Sequence, residues 1–432
     1  MVYSIRRKAR YWIRVVKCMI GDYKRFNMKK APLRQKNYLR PITWALSFPD
    51  IFKHRAKINK INMEGIKPPY LLLCNHNSFL DFKVMTIAIF PNRANYVVAI
   101  DGFIKREWLM RLVGCICTRK FTNDLILVKK MLHVVKQGDI VVLFPEARYS
   151  LCGTNAVLPD SLGKLIKIMN VPVVTLIMHG HHVNSPFWNL KNRSVKPIEA
   201  ELKLLYTPEV IKTLSTHTIN AELDKAFLYD DYKWQKDKGI HITYPNRAEG
   251  LHKVLYQCPH CKTEYEMNSK ADAIWCNHCG KKWYMTTLGE LKADEGETEF
   301  SHIPDWYEWE RKNVRMEIEA GTYHFESKAV IHSLPNSKEF INMGTGTLVH
   351  NMNGFLLKGS NNHMPYELTW TAHTLYSCHI EYNYRNIGDC VDLNTSDDTL
   401  YIYPLVEKFS VTKLSLATEE LYKVAMLQRK KG

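Results

Sequence analysis

Long hydrophobic runs are missing from this chain of 432 residues, although 46% of its residues are hydrophobic. No stretch approaches the roughly 20 apolar residues that a helix needs to cross a bilayer. The N-terminus also lacks the apolar centre of a secretory signal peptide. We therefore expect a soluble chain of about two to three domains, at roughly 150 residues each, whose membrane contact can only be peripheral.

Acidic residues are scarce at the start of the chain. Residues 1–60 contain 17 lysines and arginines but only two acidic residues, so they carry a net charge of +15 out of the chain's +17. Apolar side chains recur among these basic residues at helical spacing. They are Tyr11, Trp12, Val15, Val16, Met19, Ile20 and Tyr23. The pattern predicts an amphipathic helix on an anionic membrane surface, where each basic residue contributes about 1 kcal/mol.

A second aromatic segment, residues 38–52, predicts a short helix that docks beside the first or enters the membrane interface. Two other interpretations of the basic arm stay open. Its helix can pack on the protein core with the basic face in solvent, or the arm can bind nucleic acid, since basic tails of either kind look alike. We expect no nucleic-acid partner, because the cysteine-rich region described next is not strongly basic.

Paired cysteines are few: only four of the eleven lie in Cys-x-x-Cys pairs. Cys258 and Cys261 form one Cys-x-x-Cys knuckle, Cys276 and Cys279 form another, and 14 residues separate them. This spacing is a strong zinc signal. Four thiolates close a tetrahedral shell, so we predict a structural zinc, with a pair of disulfides as the alternative. The other seven show no paired framework, which indicates reduced, buried thiols.

The most informative segment is residues 75–81, Asn-His-Asn-Ser-Phe-Leu-Asp, directly after the apolar run at residues 70–74. His76 would leave a buried strand into a turn, and Asp81 would follow one helical turn later. A carboxylate in that position can fix the tautomer of an imidazole that acts as a general base. The pair is therefore suited to deprotonating an alcohol.

Three later segments extend this pattern. Residues 114–119, Gly-Cys-Ile-Cys-Thr-Arg, end in Arg119, whose guanidinium can donate two parallel hydrogen bonds to phosphate oxygens. Residues 140–150 run from an apolar strand into the polar turn Pro-Glu-Ala-Arg-Tyr-Ser, and residues 171–178, which begin Val-Pro-Val, read as another buried strand.

The order and spacing of these four segments resemble the glycerolipid acyltransferase family, typified by bacterial 1-acylglycerol-3-phosphate acyltransferases, over about residues 40–215. The family's first motif is Asn-His-x-Ser-x-x-Asp and its third is Phe-Pro-Glu-Gly-Thr-Arg-Ser. The matching residues are Asn75, His76, Ser78 and Asp81, then Gly114 and Arg119, then Phe144, Pro145, Glu146 and Ser150, and finally Val171, Pro172 and Val173.

Two departures from the family pattern concern the acceptor. Ala147, Arg148 and Tyr149 stand where the family usually has Gly, Thr and Arg, so the arginine of the third motif is displaced by one residue. A lysine often found early in the second motif is also missing.

The resemblance implies a mixed α/β sheet flanked by helices and a role for each matched residue. His76 would take the proton from a lysolipid hydroxyl, and Asp81 would orient it. The implied substrate-binding residues are Arg119 at the acceptor phosphate, Glu146 at the glycerol or behind the phosphate-binding arginines, and Ser78, Gly114 and the displaced Arg148 nearby. Three histidines at residues 179–182 offer a metal site, but without a carboxylate or cysteine nearby in sequence we interpret them as a polar loop.

We predict five segments. They are a membrane-binding arm (1–60), an acyltransferase core (61–245), a zinc ribbon (250–285), a connector with a helix (286–320) and a β-rich domain, pleckstrin-homology-like in its strands and final helix (321–432).

The predicted function is transfer of an acyl group from acyl-coenzyme A or acyl-carrier protein to lysophosphatidic acid, as a lysophospholipid acceptor, at the cytoplasmic face of the cell membrane. Three alternatives stay open: another lysolipid or alcohol acceptor, a zinc-ribbon nucleic-acid-binding protein, and a catalytically silent membrane scaffold.

Overall fold

The computed structural model describes residues 23–122, 124–361 and 364–431. The apolar stripe predicted for the basic arm, which includes Trp12 and Val16, lies outside these residues. Within them the chain forms three β-sheets that share one continuous hydrophobic core, which contains Leu72, Trp283 and Ile402.

The first sheet has seven strands in the order β1-β7-β6-β2-β5-β3-β4. Its strands are β1 (Lys57–Ile61), β2 (Leu71–Cys74), β3 (Ala94–Ala99), β4 (Cys115–Thr118), β5 (Ile140–Leu143), β6 (Val173–His179) and β7 (Glu199–Tyr206). Strands β2 to β6 run parallel to one another, whereas β7 is antiparallel to β6 and parallel to β1. The mixed sheet predicted from the sequence is therefore confirmed.

Helices connect and cover this sheet. They are α1 (Arg40–Lys53), α2 (Leu80–Ala88), α3 (Glu107–Leu112), α4 (Leu125–Lys136), α5 (Leu162–Met169), α6 (His181–Asn184), α7 (Pro208–Thr213), α8 (Thr216–Ala226) and α9 (Asp231–Asp237). Every residue of β2 is buried, because both faces of the central strands are covered. This explains why the central strands read as apolar runs rather than alternating patterns.

The second sheet is small and antiparallel, with the order β11-β10-β9-β8. Its strands are β8 (Met267–Lys270), β9 (Ala273–Cys276), β10 (Lys282–Met285) and β11 (Leu291–Ala293). Trp283 on β10 is fully buried and meets Trp306 edge-on, with 5.1 Å between the ring centroids. Trp306 lies on α10 (Ile303–Glu319), the helix expected in the connector.

The third sheet has seven antiparallel strands in the order β15-β14-β13-β12-β18-β17-β16. They are β12 (His324–Ser333), β13 (Ile341–Asn351), β14 (Gly354–Asn361), β15 (Met364–Thr371), β16 (His379–Tyr384), β17 (Gly388–Asn394) and β18 (Thr399–Pro404), and helix α11 (Val411–Lys431) follows. The predicted β-rich C-terminal region is confirmed. The likeness to a pleckstrin-homology module stays a prediction.

Helix α1 lies where the second aromatic segment was expected. Its Trp44 and Phe48 pack edge-on against Phe90, at centroid distances of 4.8 and 6.0 Å. Ile42 and Leu46, one turn apart, are exposed on its other side. Among the described residues, no helix is both long enough and apolar enough to cross a bilayer.

Candidate active site

His76 follows β2 at the edge where the parallel strands end. Asn75 fixes this turn because its side chain exchanges two hydrogen bonds of 2.9 Å with the backbone of Met178 on β6. The imidazole lies between Phe144 and Tyr149, whose rings are tilted against it at centroid distances of 4.2 and 4.4 Å, and the side chain of His76 is 25% exposed. Neighbouring strands thus hold the ring in place while leaving it accessible.

Asp81 lies in the first turn of α2 and is fully buried. Its Oδ2 is 2.9 Å from His76 Nδ1 and also accepts the backbone N–H groups of Asn77 at 2.6 Å and Ser78 at 2.9 Å. Its Oδ1 is 2.6 Å from Nδ1 of His181. Burial would raise the pKa of Asp81, but the hydrogen bonds from His181 and His76 outweigh it and lower the pKa to about 2. The carboxyl group is therefore ionised at neutral pH.

The ionised carboxylate determines the tautomer of His76. A carboxylate only accepts hydrogen bonds, so Nδ1 of His76 must carry the proton that it donates to Asp81. In the neutral ring Nε2 then has a free lone pair. This is the arrangement that a general base requires.

His181 is a site residue that the sequence interpretation missed. It belongs to the histidine stretch interpreted as a polar loop, yet it is fully buried and holds the second oxygen of Asp81. Asp231 fixes the loop by accepting the backbone N–H groups of Gly180 at 3.1 Å and His182 at 2.9 Å. A histidine that follows a strand adjacent to β2 was the available signal, because the ends of adjacent parallel strands meet.

The third motif lies directly behind His76. Glu146 accepts the backbone N–H of His76 at 3.1 Å and that of Ala156 at 3.1 Å, and Ser150 N–H donates to His76 O at 2.8 Å. Burial raises the pKa of Glu146 to about 8. Ala147, where the related motif has glycine, adopts a left-handed φ of 55°. Glu146 therefore positions the base. It is not among the residues that line the cavity described below, and its predicted role at the glycerol or behind the arginines stays a prediction.

Arg119, the residue predicted to contact the acceptor phosphate, is held by the C-terminal region. Nη1 donates to Leu334 O at 3.1 Å and Thr399 Oγ1 at 2.6 Å, and Nη2 donates to Pro335 O at 3.2 Å and Asp397 O at 2.9 Å. These bonds use all four terminal N–H groups of a buried guanidinium. Arg119 thus ties β4 to the C-terminal sheet, and its predicted contact with the acceptor phosphate stays a prediction.

Arg148 is also held by the C-terminal region. Its Nη2 lies 2.7 Å from Glu419 Oε1 on α11, and Arg311 Nη1 lies 2.7 Å from Glu419 Oε2. Burial would raise the pKa of Glu419, but the charges of Arg148 and Arg311 lower it to about 2. Nε and Nη1 of Arg148 are buried without a partner among the described residues. These two groups leave the predicted substrate contact of Arg148 open.

His76 lines a cavity of about 1140 Å³ between the first sheet and the C-terminal region. Ser78, Arg119 and Arg148 also line it, whereas Gly114 does not. Gly114 has φ of +97°, and a side chain there would meet the backbone oxygen of Ala94 at 3.1 Å, so the backbone favours glycine here. Its predicted substrate contact stays a prediction. The opposite wall belongs to the C-terminal region and consists of His373, Thr374, Tyr376, His379, Glu381, Tyr384, Tyr422, Met426 and Arg429.

The four predicted zinc ligands come together. The Sγ atoms of Cys258 and Cys279 are 3.8 Å apart, those of Cys261 and Cys276 are 3.7 Å apart, and all four lie within 4.8 Å of one another. A tetrahedral ion with sulfur ligands at about 2.3 Å places its sulfurs about 3.8 Å apart. The donor set therefore fits a zinc ion. His260 lies outside this group, with Nδ1 3.2 Å from Glu299.

Comparison with known proteins agrees with this geometry. Residues 54–179 match the family model described as acyltransferase. These residues form an acyltransferase-family domain. The match covers the first, second and third motifs and extends through β6, so the resemblance to glycerolipid acyltransferases is confirmed.

No curated protein matches the chain. A solved structure that is similar to it is the 1-acyl-sn-glycerophosphate (LPA) acyltransferase from Thermotoga maritima. The sequences are 14% identical, the TM-score is 0.36, and the match covers 44% of this chain and 77% of that chain. In this chain the second sheet, with its four cysteines, and the C-terminal sheet follow the residues that match the family model.

Proposed function

We propose that the protein transfers a fatty acyl group from an acyl thioester to the free hydroxyl of lysophosphatidic acid, forming phosphatidic acid. This proposal rests on the His76–Asp81 pair in an acyltransferase-family domain. His76, the base of the pair, lines a cavity of about 1140 Å³. The product would enter phospholipid synthesis.

In the proposed reaction, Nε2 of His76 takes the hydroxyl proton while the alcohol oxygen attacks the thioester carbonyl. The tetrahedral intermediate then expels the thiolate, which takes the proton back from the imidazolium. Asp81 stabilises the imidazolium between these steps. A positioned base contributes about a hundred- to ten-thousandfold in rate, and no covalent acyl-enzyme is needed.

The acceptor's phosphate needs a cation other than Arg119. We assign it to Lys120, which lines the same cavity and whose Nζ is 4.0 Å from the nearest carboxylate oxygen, on Asp101. The bonds of Arg119 to the C-terminal sheet favour a second candidate function, which is acyl transfer to another lysolipid or alcohol that lacks this phosphate.

The donor would be acyl-coenzyme A or an acylated acyl-carrier protein. The acyl chain would lie in the cavity against apolar side chains of both walls, such as Phe82, Met110 and Met426. A structural zinc at Cys258, Cys261, Cys276 and Cys279 would stabilise the second sheet, and its closed thiolate shell leaves no position for substrate.

The protein would reach its lipid substrate as a peripheral protein on the cytoplasmic face of the membrane. Helix α1 supports this because Ile42, Leu46 and Phe52 are exposed on it, and exposed Phe79 lies at the cavity. Thr43 of the same helix lines the cavity, so an apolar surface adjoins the entrance. Deleting residues 1–22 should weaken binding to anionic vesicles, and Leu46→Ser should remove the part of binding that resists high salt. Equal binding by both variants and the wild type would contradict this location.

The decisive experiment offers a panel of lysolipids and simple alcohols with each of the two donors and identifies the products by lipid mass spectrometry. We expect phosphatidic acid from lysophosphatidic acid, and His76→Ala should abolish it. His217→Ala, a change at an exposed histidine on α8, is the matched control and should leave the rate unchanged. An acylated product from a different acceptor alone would support the second candidate. Tight binding to duplex DNA but not to vesicles, without any acylated product, would refute both.

A further inference from the structure

A second cluster of ionisable side chains lies on the wall opposite His76. His379 and Glu381 on β16 point to one face of the C-terminal sheet, because alternate residues of a strand share a face. Asp392 on β17 is directly paired with His379 across the two strands. Nδ1 of His379 lies 2.7 Å from Asp392 Oδ2 and 3.8 Å from Glu381 Oε1. His379 and Glu381 both line the cavity.

The two carboxylates of this cluster lack a cationic partner. Among the residues that the structure describes, no lysine or arginine lies within 4.0 Å of either carboxylate. The second oxygen of Asp392 has only the Cys390 thiol, at 3.8 Å. Yet the side chain of Asp392 is only 2% exposed and that of Glu381 only 19%. Buried carboxyl groups without enough donors are costly to keep ionised, so they take up a proton or bind a cation.

We propose that His379, Glu381 and Asp392 bind a divalent first-row metal ion. One imidazole nitrogen and two carboxylate oxygens are common ligands of Zn²⁺ and Mn²⁺. Ligand atoms about 2.0 to 2.2 Å from a tetrahedral ion lie about 3.4 Å apart, and the separations of 2.7 and 3.8 Å bracket that distance. All three ligand atoms lie within 4.8 Å of one another, so small side-chain rotations complete the site. To bind the ion through Nδ1, the neutral imidazole of His379 carries its proton on Nε2.

The open coordination positions of this ion face the cavity, since His379 and Glu381 line it. Without the ion, the carboxyl groups of this cluster offer no attraction to phosphate groups. With the ion, the wall attracts them, and a phosphate oxygen of the acceptor or the donor can complete the coordination. This consequence rests on the proposed acyl transfer, whereas metal binding by the three residues does not.

The test counts metal ions on the full-length protein. Mass spectrometry measures the metal present after purification, and a Mn²⁺ titration followed by electron paramagnetic resonance measures the ions taken up in addition. We expect the sum to be one ion per chain higher in the wild type than in Asp392→Asn and Glu381→Gln. Thiolates are soft ligands that suit Mn²⁺ poorly, so uptake of Mn²⁺ reports this cluster rather than the four cysteines.

A matched control exists on the same sheet. His324 and Glu326 on β12 have the same spacing as His379 and Glu381 and lie 3.6 Å apart, but both are exposed and neither lines the cavity. Glu326→Gln should therefore leave the metal count unchanged.

Equal counts in the wild type and in a folded Glu381→Gln protein would overturn the proposal. This variant is the safeguard in case Asp392→Asn does not fold, because Glu381 has no hydrogen bond to lose among those of the described residues. The metal count needs no substrate. A protein that binds the extra ion but acylates nothing would refute the proposed reaction and leave the metal site standing.

Discussion

Asp81→Asn is the most informative substitution at the candidate active site, because the four N–H groups around Asp81 decide how the new amide must turn. Three of them, from His76, Asn77 and Ser78, converge on Oδ2, and only His181 reaches Oδ1. The asparagine therefore satisfies most donors by placing its oxygen at the Oδ2 position. Its NH₂ group then faces His181.

His181 can adapt to that NH₂ group by changing tautomer. Its Nε2 has no hydrogen-bond partner among the described residues, so moving the proton from Nδ1 to Nε2 breaks no other bond. His76 then keeps its proton on Nδ1 and its lone pair on Nε2. The variant retains the base in its reactive form and loses only the negative charge that stabilises the imidazolium.

The size of the effect follows from this picture. Hydrogen bonds to charged groups contribute about 1.5 to 3 kcal/mol, so the turnover rate should fall about 10- to 200-fold. His76→Ala should fall about a hundred- to ten-thousandfold, since it removes the base itself. Thiol release at saturating donor and acceptor measures both rates. An Asp81→Asn rate as low as that of His76→Ala would refute the orientation assigned to the asparagine amide. A rate equal to that of the wild type would refute the pairing of His76 with Asp81.

Stability provides an independent check of the same substitution. A pKa lowered from 3.8 to about 2 corresponds to about 2 kcal/mol of stability from the ionised carboxylate. Because the pKa is lower in the folded state, this contribution is complete above pH 4 and disappears as the pH falls through 2. Denaturant unfolding should therefore show Asp81→Asn about 2 kcal/mol less stable at pH 7, with a smaller difference near pH 3.

Three further predictions concern the residues that connect the domains. Arg119→Ala should lower the free energy of unfolding by about 3 kcal/mol in denaturant titrations. Lys120→Ala should mainly raise the acceptor's KM. If Arg119→Ala raised that KM and Lys120→Ala only lowered stability, Arg119 would be the phosphate ligand. Glu419→Gln should lower the free energy of unfolding by about 3 to 5 kcal/mol at pH 7, because buried Arg148 loses its carboxylate partner while Arg311 keeps Glu308 and Glu420. The loss should be smaller as the pH falls towards 2. Cys276→Ser should remove one zinc per chain in metal analysis and unfold residues 250–285, since a structural zinc supplies about 10 to 16 kcal/mol.

Local patterns in the sequence were sufficient for the features whose partners are close in the chain. His76 and Asp81 are five residues apart, so strand and helix geometry together predicted their contact. The cysteine knuckles were equally local, because each pair spans four residues. The parallel strands of the first sheet were visible as apolar runs, since burial on both faces requires them.

Contacts between distant segments were not predictable in this way. His181 is 100 residues from Asp81, and Arg119 meets a carbonyl group 215 residues later in the chain. Arg148 and Glu419 are 271 residues apart. In the sequence, an arginine in a motif looks the same whether it binds a phosphate or a neighbouring domain. Only the packing of the C-terminal sheet on the first sheet distinguishes these two outcomes.

The two walls of the cavity have a consequence for how such an enzyme changes over time. The reactive pair lies within a few residues of β2, while side chains such as His373 and Tyr376 come from a loop of the C-terminal sheet, between β15 and β16. Substitutions in that sheet can alter which molecules fit without disturbing the residues that make the new bond. The choice of substrate can therefore change while the residues that carry out the reaction are retained.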